Sequence, residues 1–299
     1  MVKISIAMAT YNGGRFIREQ LDSILNQTEQ DFELIICDDC STDDTYSIVS
    51  EYSRKDKRIK CFCNESNMGF KRNFEKAISL CTADYIALSD QDDVWLPDHL
   101  ELLINNIGDK MVCCGDADLV DSEGKPMGMT LSCLQNLDRQ IEDDLRKAYR
   151  IFFFIAPYQG ASTMIRRDFF DLALPIPEQV HYHDAWFTAL ACFSGGIKYM
   201  KRPITNYRQH SNNVSVKKKK RISRLRVFIG HIRRKSVLQD RVVFVNEIRK
   251  RVAGLTDEQR RFLDEAEIYY SRKKTMLGRI ANTLFELRHL HLIYGRRCY

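Results

Sequence analysis

The chain has 299 residues, of which 44% are hydrophobic and 29% charged, with a formal net charge of +6. This is enough apolar material for one large core and a smaller second element, which excludes an intrinsically disordered class. No window of about 18 uninterrupted apolar residues occurs, so no segment reads as a membrane-spanning helix. Taken in chain order, Val2 to Ala9 reads as a strand, Thr10-Tyr11-Asn12-Gly13-Gly14 as a turn, and Phe16, Ile17, Leu21, Ile24 and Leu25 as the apolar face of a helix. A second strand, Phe32 to Cys37, ends in Asp38-Asp39. Ser41-Thr42-Asp43-Asp44 then reads as a capping-box-like start for a helix through Tyr46, Ile48, Val49 and Tyr52. Arg58 to Cys63 is a short strand and Asn67-Met68-Gly69 a turn. Phe74, Ala77, Ile78 and Leu80 form one face of a helix leading into the buried strand Tyr85 to Leu88. Strands alternating with helices, with polar residues at each strand's C-terminal end, predict an open, mostly parallel α/β sheet. Ligands bind such sheets just beyond the strand carboxyl ends.

The fourth strand runs into Ser89-Asp90-Gln91-Asp92-Asp93-Val94-Trp95, which places three carboxylates within four positions at a sheet mouth. Carboxylates this close repel one another and raise one another's pKa unless a hard divalent ion neutralises them. Mg²⁺ or Mn²⁺ held by only one or two carboxylates keeps positions open for phosphate oxygens, which points to a nucleoside-diphosphate ligand.

Ala9-Thr10-Tyr11-Asn12-Gly13, Asp38-Asp39-Cys40-Ser41-Thr42-Asp43, Asn67-Met68-Gly69 and Asp90-Gln91-Asp92-Asp93 together resemble the ordered signatures of glycosyltransferase family 2, inverting enzymes of the GT-A fold. The resemblance covers roughly residues 1–215, the expected catalytic domain. It implies that Thr10, Tyr11, Asn12 and Asp39 line a nucleoside pocket with Asp38 in support. It implies a metal site led by Asp92 and aided by Asp90 or Asp93, where a cation acts as Lewis acid for the leaving diphosphate. The base that takes the acceptor proton is expected at Asp184 in Tyr182-His183-Asp184-Ala185-Trp186. His183 stands where family members usually carry a first carboxylate, and a histidine is itself a base near neutral pH. Gln159 and Gly160 of Tyr158-Gln159-Gly160-Ala161-Ser162, with His183 and Trp186, are the expected acceptor contacts. Tyr207-Arg208-Gln209-His210-Ser211-Asn212-Asn213 resembles the donor-closing segment of rhamnosyltransferase-like members. This implies Arg208 on the diphosphate, His210 on the metal and dTDP-rhamnose as donor. UDP-glucose, UDP-galactose and UDP-N-acetylhexosamine stay open, and the acceptor is expected to be a polysaccharide or lipid-linked saccharide.

The net charge conceals an uneven distribution. From Lys217 onward there are 23 Lys and Arg against 8 Asp and Glu, a balance of +15, which leaves 23 against 32, or −9, for residues 1–216. This second region, 216–299, opens with Lys217-Lys218-Lys219-Lys220-Arg221. It continues with Leu225, Phe228, Ile229, Ile232, Val242, Val245 and Ile248 at helical spacing, and Thr256-Asp257-Glu258-Gln259 reads as a capping box for a helix through Phe262, Leu263, Ala266 and Tyr270. Basic helices with an apolar face lie on anionic membrane or pack together as oligomers, and either role is open here. The N-terminus enters a strand with no signal-peptide apolar region. The expectation is therefore a cytoplasmic enzyme, peripheral on the inner face of the membrane.

Other functional classes fit less well. Cys37-Asp38-Asp39-Cys40 has CxxC spacing, but no second Cys or His pair offers zinc spacing, and Cys61, Cys63, Cys113 and Cys114 fall in strand-like runs where free cysteine acts as a small buried hydrophobe. A dehydrogenase or ATPase would need GxGxxG or GxxxxGK[ST], and neither occurs. The basic tail carries no recognisable nucleic-acid module, so no nucleic-acid partner is expected. An inactive scaffold of the same fold would not need Asp39, Asp92 and Asp184 together.

Overall fold

The computed structural model describes residues 2–135, 141–153, 158–210, 241–272 and 276–289. The elements, in order, are β1 (Ile4–Thr10), α1 (Ile17–Leu25), β2 (Phe32–Asp38), α2 (Thr45–Lys55), β3 (Ile59–Cys63), α3 (Phe70–Leu80), β4 (Tyr85–Ser89) and β5 (Val94–Trp95). Then come α4 (His99–Ile107), β6 (Val112–Val120), β7 (Pro126–Thr130), α5 (Leu131–Leu134) and α6 (Asp144–Phe153). A 3₁₀ turn at Gly160–Ser162 leads into β8 (Thr163–Arg166), α7 (Phe169–Ala173), α8 (His183–Ala191) and β9 (Ile197–Arg208). The described C-terminal helices are α9 (Arg241–Arg251), α10 (Asp257–Ser271) and α11 (Met276–Arg288).

Among the described residues the strands form one sheet in the order β3-β2-β1-β4-β8-β6-β9-β5, with β7 paired to β6. The parallel arrangement expected from the alternating pattern holds for β3-β2-β1-β4 and returns at β6-β9. Strands β8, β5 and β7 insert antiparallel. Because β8 is antiparallel to both β4 and β6, the C-terminal ends of β1, β2, β4, β6 and β9 all reach the same edge, together with the N-terminal ends of β8 and β5. Thr10, Asp38, Asp90 and Arg208, distant in sequence, are thereby placed along one crevice.

The sheet is covered on both faces, which is why β1 and β2 are apolar almost throughout rather than alternating. Ile6, Met8, Leu34 and Ile36 face α1, α2 and α4, while Ala7, Ile35 and Cys37 face the side of α3, α6 and α8. Helices α9 and α10 extend that second layer: Phe244 meets Trp186 at 5.5 Å and Phe262 meets Phe152 at 5.2 Å. The Thr256 capping box forms as expected, with Gln259 N donating to Thr256 Oγ1 at 3.2 Å and Thr256 N to Gln259 Oε1 at 3.0 Å. The cap expected from Ser41 to Asp44 does not form in that way: α2 begins at Thr45, and Asp43 accepts its N–H at 3.0 Å. Cys113 and Cys114 are buried as expected, whereas Cys63 is exposed. The Lys217–Arg221 run and Leu225 to Ile232 lie outside the described residues.

His99 is fully buried against Trp95, its ring stacked at 3.9 Å, with Nδ1 3.0 Å from Ile204 O. Burial drives its pKa down to about 3. The unfolded chain takes up this proton near the ordinary value of about 6.5, so below that pH the unfolded state binds more protons and stability falls as pH drops toward 3. The slope from this group approaches ~1.4 kcal/mol per pH unit. Urea unfolding between pH 7.5 and 5 is expected to show a shallower pH dependence in His99→Phe, by about one proton, since Ile204 O keeps the Leu96 N–H. An unchanged slope would place the acid sensitivity elsewhere.

Candidate functional site

The crevice is built on two carboxylates that are consumed by the chain itself. Asp38, fully buried at the end of β2, accepts from Thr10 Oγ1 at 2.8 Å, Ser41 Oγ at 2.7 Å and Ser41 N at 2.8 Å. It therefore ties the first loop to the second. Asp39 accepts from Asn64 Nδ2 at 2.8 Å, Met68 N at 2.9 Å and Gly69 N at 2.8 Å. These bonds seat the Asn67-Met68-Gly69 turn at the start of α3, where Gly69 takes φ +82°, a conformation a side chain would strain. Asp39 is 2% exposed, so a nucleobase N–H would meet only the lone pair these donors leave. Asn64 is fixed in turn by Asn73 Oδ1 at 2.9 Å and Lys76 Nζ at 2.7 Å.

Asn12, at φ +48°, accepts from Thr42 N at 2.8 Å and closes the loop pair. Tyr11 presents its ring to solvent at 46% exposure while its backbone is held from the acidic loop: Tyr11 N donates to Gln91 Oε1 at 2.8 Å and Gln91 Nε2 donates to Tyr11 O at 3.0 Å. A Cβ at Gly13 would fall 2.2 Å from Gln91 Oε1. Sequence reasoning passed over Gln91, Asn64 and Asn73, because their work is contact across dozens of residues. The glycine at 13 was the one local sign that something approaches closely.

The acidic loop divides by direction. Asp92 faces the crevice, with Oδ2 2.7 Å from His210 Nε2. Asp90 lies beside it and its pKa is pushed up to about 7, first by burial and then by the charges of Asp92 and Asp184. Asp93 is turned the other way: it is fully buried, its Oδ1 accepts Arg208 N at 3.0 Å, and its Oδ2 has no partner among the described residues. Burial, then Asp92 and Asp90, holds its pKa well above the usual carboxylate range. Asp93 is therefore corrected from metal ligand to inward anchor of β5. Arg208 is corrected as well. It is 1% exposed, and its guanidinium donates to Asp92 O at 2.9 Å, Ser122 O at 3.2 Å and Glu19 at 2.6 Å while lying over the Phe16 ring. Its donors pin the acidic loop rather than reach toward a diphosphate. Ser211, Asn212 and Asn213 lie outside the described residues.

The opposite wall comes from the 3₁₀ turn and α8. Asp184 stands in the first turn of α8, and a Cβ at Gly160 would come within 3.7 Å of its Cβ and 3.2 Å of His183 Nε2. Since β8 pairs with β4, this turn borders the end of β4 and brings Asp184 to the Asp90 side of the crevice. His183 is 8% exposed, lies 4.3 Å from the Phe74 ring, and has no hydrogen-bond partner for either ring nitrogen among the described residues. Burial lowers its pKa, with Asp184 opposing. Gln159 carries a buried amide whose Oε1 and Nε2 are likewise without partners among the described residues. Trp186 does not join them. It is 0% exposed, donates Nε1–H to Ala173 O at 2.9 Å and packs on Phe244, so the expectation of an acceptor contact is corrected to one of core packing.

Among the described residues no three His, Cys, Asp or Glu side chains converge as a ready metal centre. The donor chemistry fits Mg²⁺ or Mn²⁺ nevertheless. Asp92 and Asp90 leave uncompensated negative charge in the crevice, His210 stands beside Asp92, and such ions keep several positions for water and phosphate oxygens.

A family model described as Glycosyl transferase family 2 matches residues 5–171. The dTDP-rhamnosyl transferase RfbG of Shigella flexneri is 30% identical over 222 residues, covering 69% of this chain and 72% of that protein. EpsH of Bacillus subtilis (strain 168), a glycosyltransferase in name, is 28% identical over 228 residues, covering 73% of this chain and 64% of its own length. The chain thus spans just under two thirds of that relative. Among solved structures, S. aureus TarS 1-349 in complex with UDP-GlcNAc superposes with TM-score 0.63 at 18% identity, over 97% of this chain and 78% of that one. The mannosyltransferase PcManGT of Pyrobaculum calidifontis, in complex with GDP-Man and Mn²⁺, gives 0.59 at 18%, over 96% and 75%. At these identities the likeness is one of fold, the GT-A arrangement of a mixed sheet with flanking helices.

Proposed function

Because the chain belongs to glycosyl transferase family 2, we propose that its strand-end crevice transfers a sugar, with inversion, from a nucleoside diphosphate to a hydroxyl of a polysaccharide or lipid-linked saccharide. The observation that carries this reading is the meeting of Asp90 and Asp92 on one wall with Asp184 on the other, close enough for both outer charges to act on Asp90. Asp92 and Asp90, with His210 alongside, would hold a divalent cation, which when bound neutralises the charge developing on the leaving diphosphate. The loops of Thr10, Tyr11 and Asn12, cross-tied to Asp38 and Ser41, form the seat for the nucleoside, and the exposed Tyr11 ring is available to stack on a base. Asp184 takes the proton of the acceptor hydroxyl as that oxygen forms its bond to the anomeric carbon and the bond to the diphosphate oxygen breaks. The relation to RfbG favours rhamnose from dTDP-rhamnose as the donor sugar, ahead of a UDP-hexose or UDP-N-acetylhexosamine.

The test is a thermal-shift panel of dTDP, UDP, GDP and their sugars, each with and without Mn²⁺, because a ligand bound only by the folded chain raises its melting temperature. A rise with dTDP compounds that needs Mn²⁺ is expected, and Asp92→Ala should abolish the metal-dependent part together with turnover. A larger shift with UDP or GDP sugars would move the donor class. Full activity of Asp92→Ala would remove that residue from the mechanism.

A further inference from the structure

Trp95 joins the two walls of the crevice. It ends β5, just past Asp92 and Asp93, and is 2% exposed. A strand of two residues makes few ladder bonds, so the place of β5 depends on the groups around it. Asp93 Oδ1 accepts Arg208 N at 3.0 Å, Trp95 N donates to Ser23 Oγ at 3.1 Å and Leu96 N donates to Ile204 O at 3.0 Å. The indole lies stacked on the His99 ring at 3.9 Å, with 7° between the planes, which fixes the direction of its N–H.

That N–H donates to Ala161 O at 3.1 Å, in the middle of the 3₁₀ turn Gly160–Ser162. A second bond runs alongside it: Ser162 Oγ donates to Thr205 Oγ1 at 3.0 Å, and Thr205 is the β9 residue paired with Trp95. A buried indole N–H needs an acceptor wherever it lies, and packing alone would account for one such bond. It does not account for two adjacent residues of one turn being held by two paired strand residues, one of which continues the acidic loop. On its other side the turn stands close against α8, since a Cβ at Gly160 would come 3.2 Å from His183 Nε2 and 3.7 Å from Asp184 Cβ. A line of direct contacts thus runs from the acidic loop through Trp95 and Ala161 to the Asp184 wall.

We propose that Trp95 is a positioning residue: with Thr205 it sets where the acceptor-side turn stands relative to the acidic loop, and it passes any ordering of that loop on to the turn. The inference rests on the crevice being the donor and cation site proposed above. Misplacing a reacting group by about 1 Å costs on the order of 10²-fold in rate. A strut that holds the Gly160 turn against the acidic loop therefore governs a separation on which transfer depends.

The test is amide hydrogen exchange of the full chain, read by mass spectrometry in wild type, Trp95→Phe and Ser162→Ala, with and without Mn²⁺ plus dTDP, UDP or GDP. Phenylalanine keeps the stack on His99 and gives up the N–H, and Ser162→Ala removes the second tie without touching the core aromatic. Without ligand, exchange at residues 160–163 is expected to rise about fivefold in each variant, the equivalent of one lost hydrogen bond. Exchange in β1 and α1 serves as the internal reference for any change in global stability. With Mn²⁺ and the diphosphate that binds, wild type should gain protection at residues 90–93 and at 160–163, whereas Trp95→Phe should keep the first and lose the second. Turn exchange equal to wild type in both variants overturns the proposal, and so does ligand protection of the turn that survives in Trp95→Phe. No protection of residues 90–93 in wild type with any of the three diphosphates overturns the donor reading instead, and the comparison without ligand then decides whether the strut holds the turn.

Discussion

Asp184→Asn is expected to cut sugar transfer by ~10²–10⁴-fold, the usual contribution of a positioned base, while the thermal shift produced by donor and Mn²⁺ stays as in wild type. The separation follows from the two walls of the crevice: in the proposed function donor and cation would be held from Asp92, His210 and the first loop, and Asp184 stands across from them beside Gly160. The rival base is its neighbour His183, whose geometry is unfavourable. Its ring is buried, lies 4.3 Å from Phe74, and burial lowers its pKa. His183→Gln should therefore retain most of the maximal rate and raise the acceptor KM, through lost packing against Gly160. If Asp184→Asn stays active while His183→Gln is dead, the roles are reversed. If both variants keep the wild-type rate, the base lies outside this turn.

What the sequence makes legible here, and what it hides, follows from how far each signal reaches along the chain. The parallel half of the sheet is plain, because β1, β2 and β4 are apolar runs with polar residues just past their ends, and the carboxylates gathered there mark the ligand edge. Strands β8 and β5, of four and two residues, are too short to carry a period, so their antiparallel insertion had no local sign. The errors within the site are errors of direction. Asp92 and Asp93 are adjacent, but the chain bends at Gln91-Asp92 before β5 begins at Val94, and the two carboxylates find different partners, His210 for Asp92 and the Arg208 N–H for Asp93. Asp184 and Trp186 are two apart on a helix, a spacing that never shares a face, so a motif containing both cannot present both to one ligand. In the sequence Arg208 shows only its charge, whereas its surroundings, with Phe16 beneath it and Glu19, Ser122 and Asp92 around it, are assembled from three separate parts of the chain.

Trp186→Ala is expected to destabilise the protein by about 3–5 kcal/mol, the range for emptying a buried aromatic site. The ring is fully enclosed between Phe244 at 5.5 Å and the Arg251 guanidinium at 5.3 Å, with its N–H on Ala173 O, so nothing in its surroundings can collapse to fill the space without moving α9. Trp186→Phe separates packing from recognition. It keeps most of the apolar contact and gives up the one hydrogen bond, a loss of about 1 kcal/mol, and urea unfolding would read both variants. The acceptor KM of Trp186→Phe should equal that of wild type, because the ring lies on the core side of α8 and Asp184 on the crevice side. A raised acceptor KM at wild-type stability would return Trp186 to the binding site and require α8 to turn when acceptor binds. A stability loss with an unchanged KM leaves acceptor recognition to the opposite face of the helix and to the unpartnered amide of Gln159 beside it.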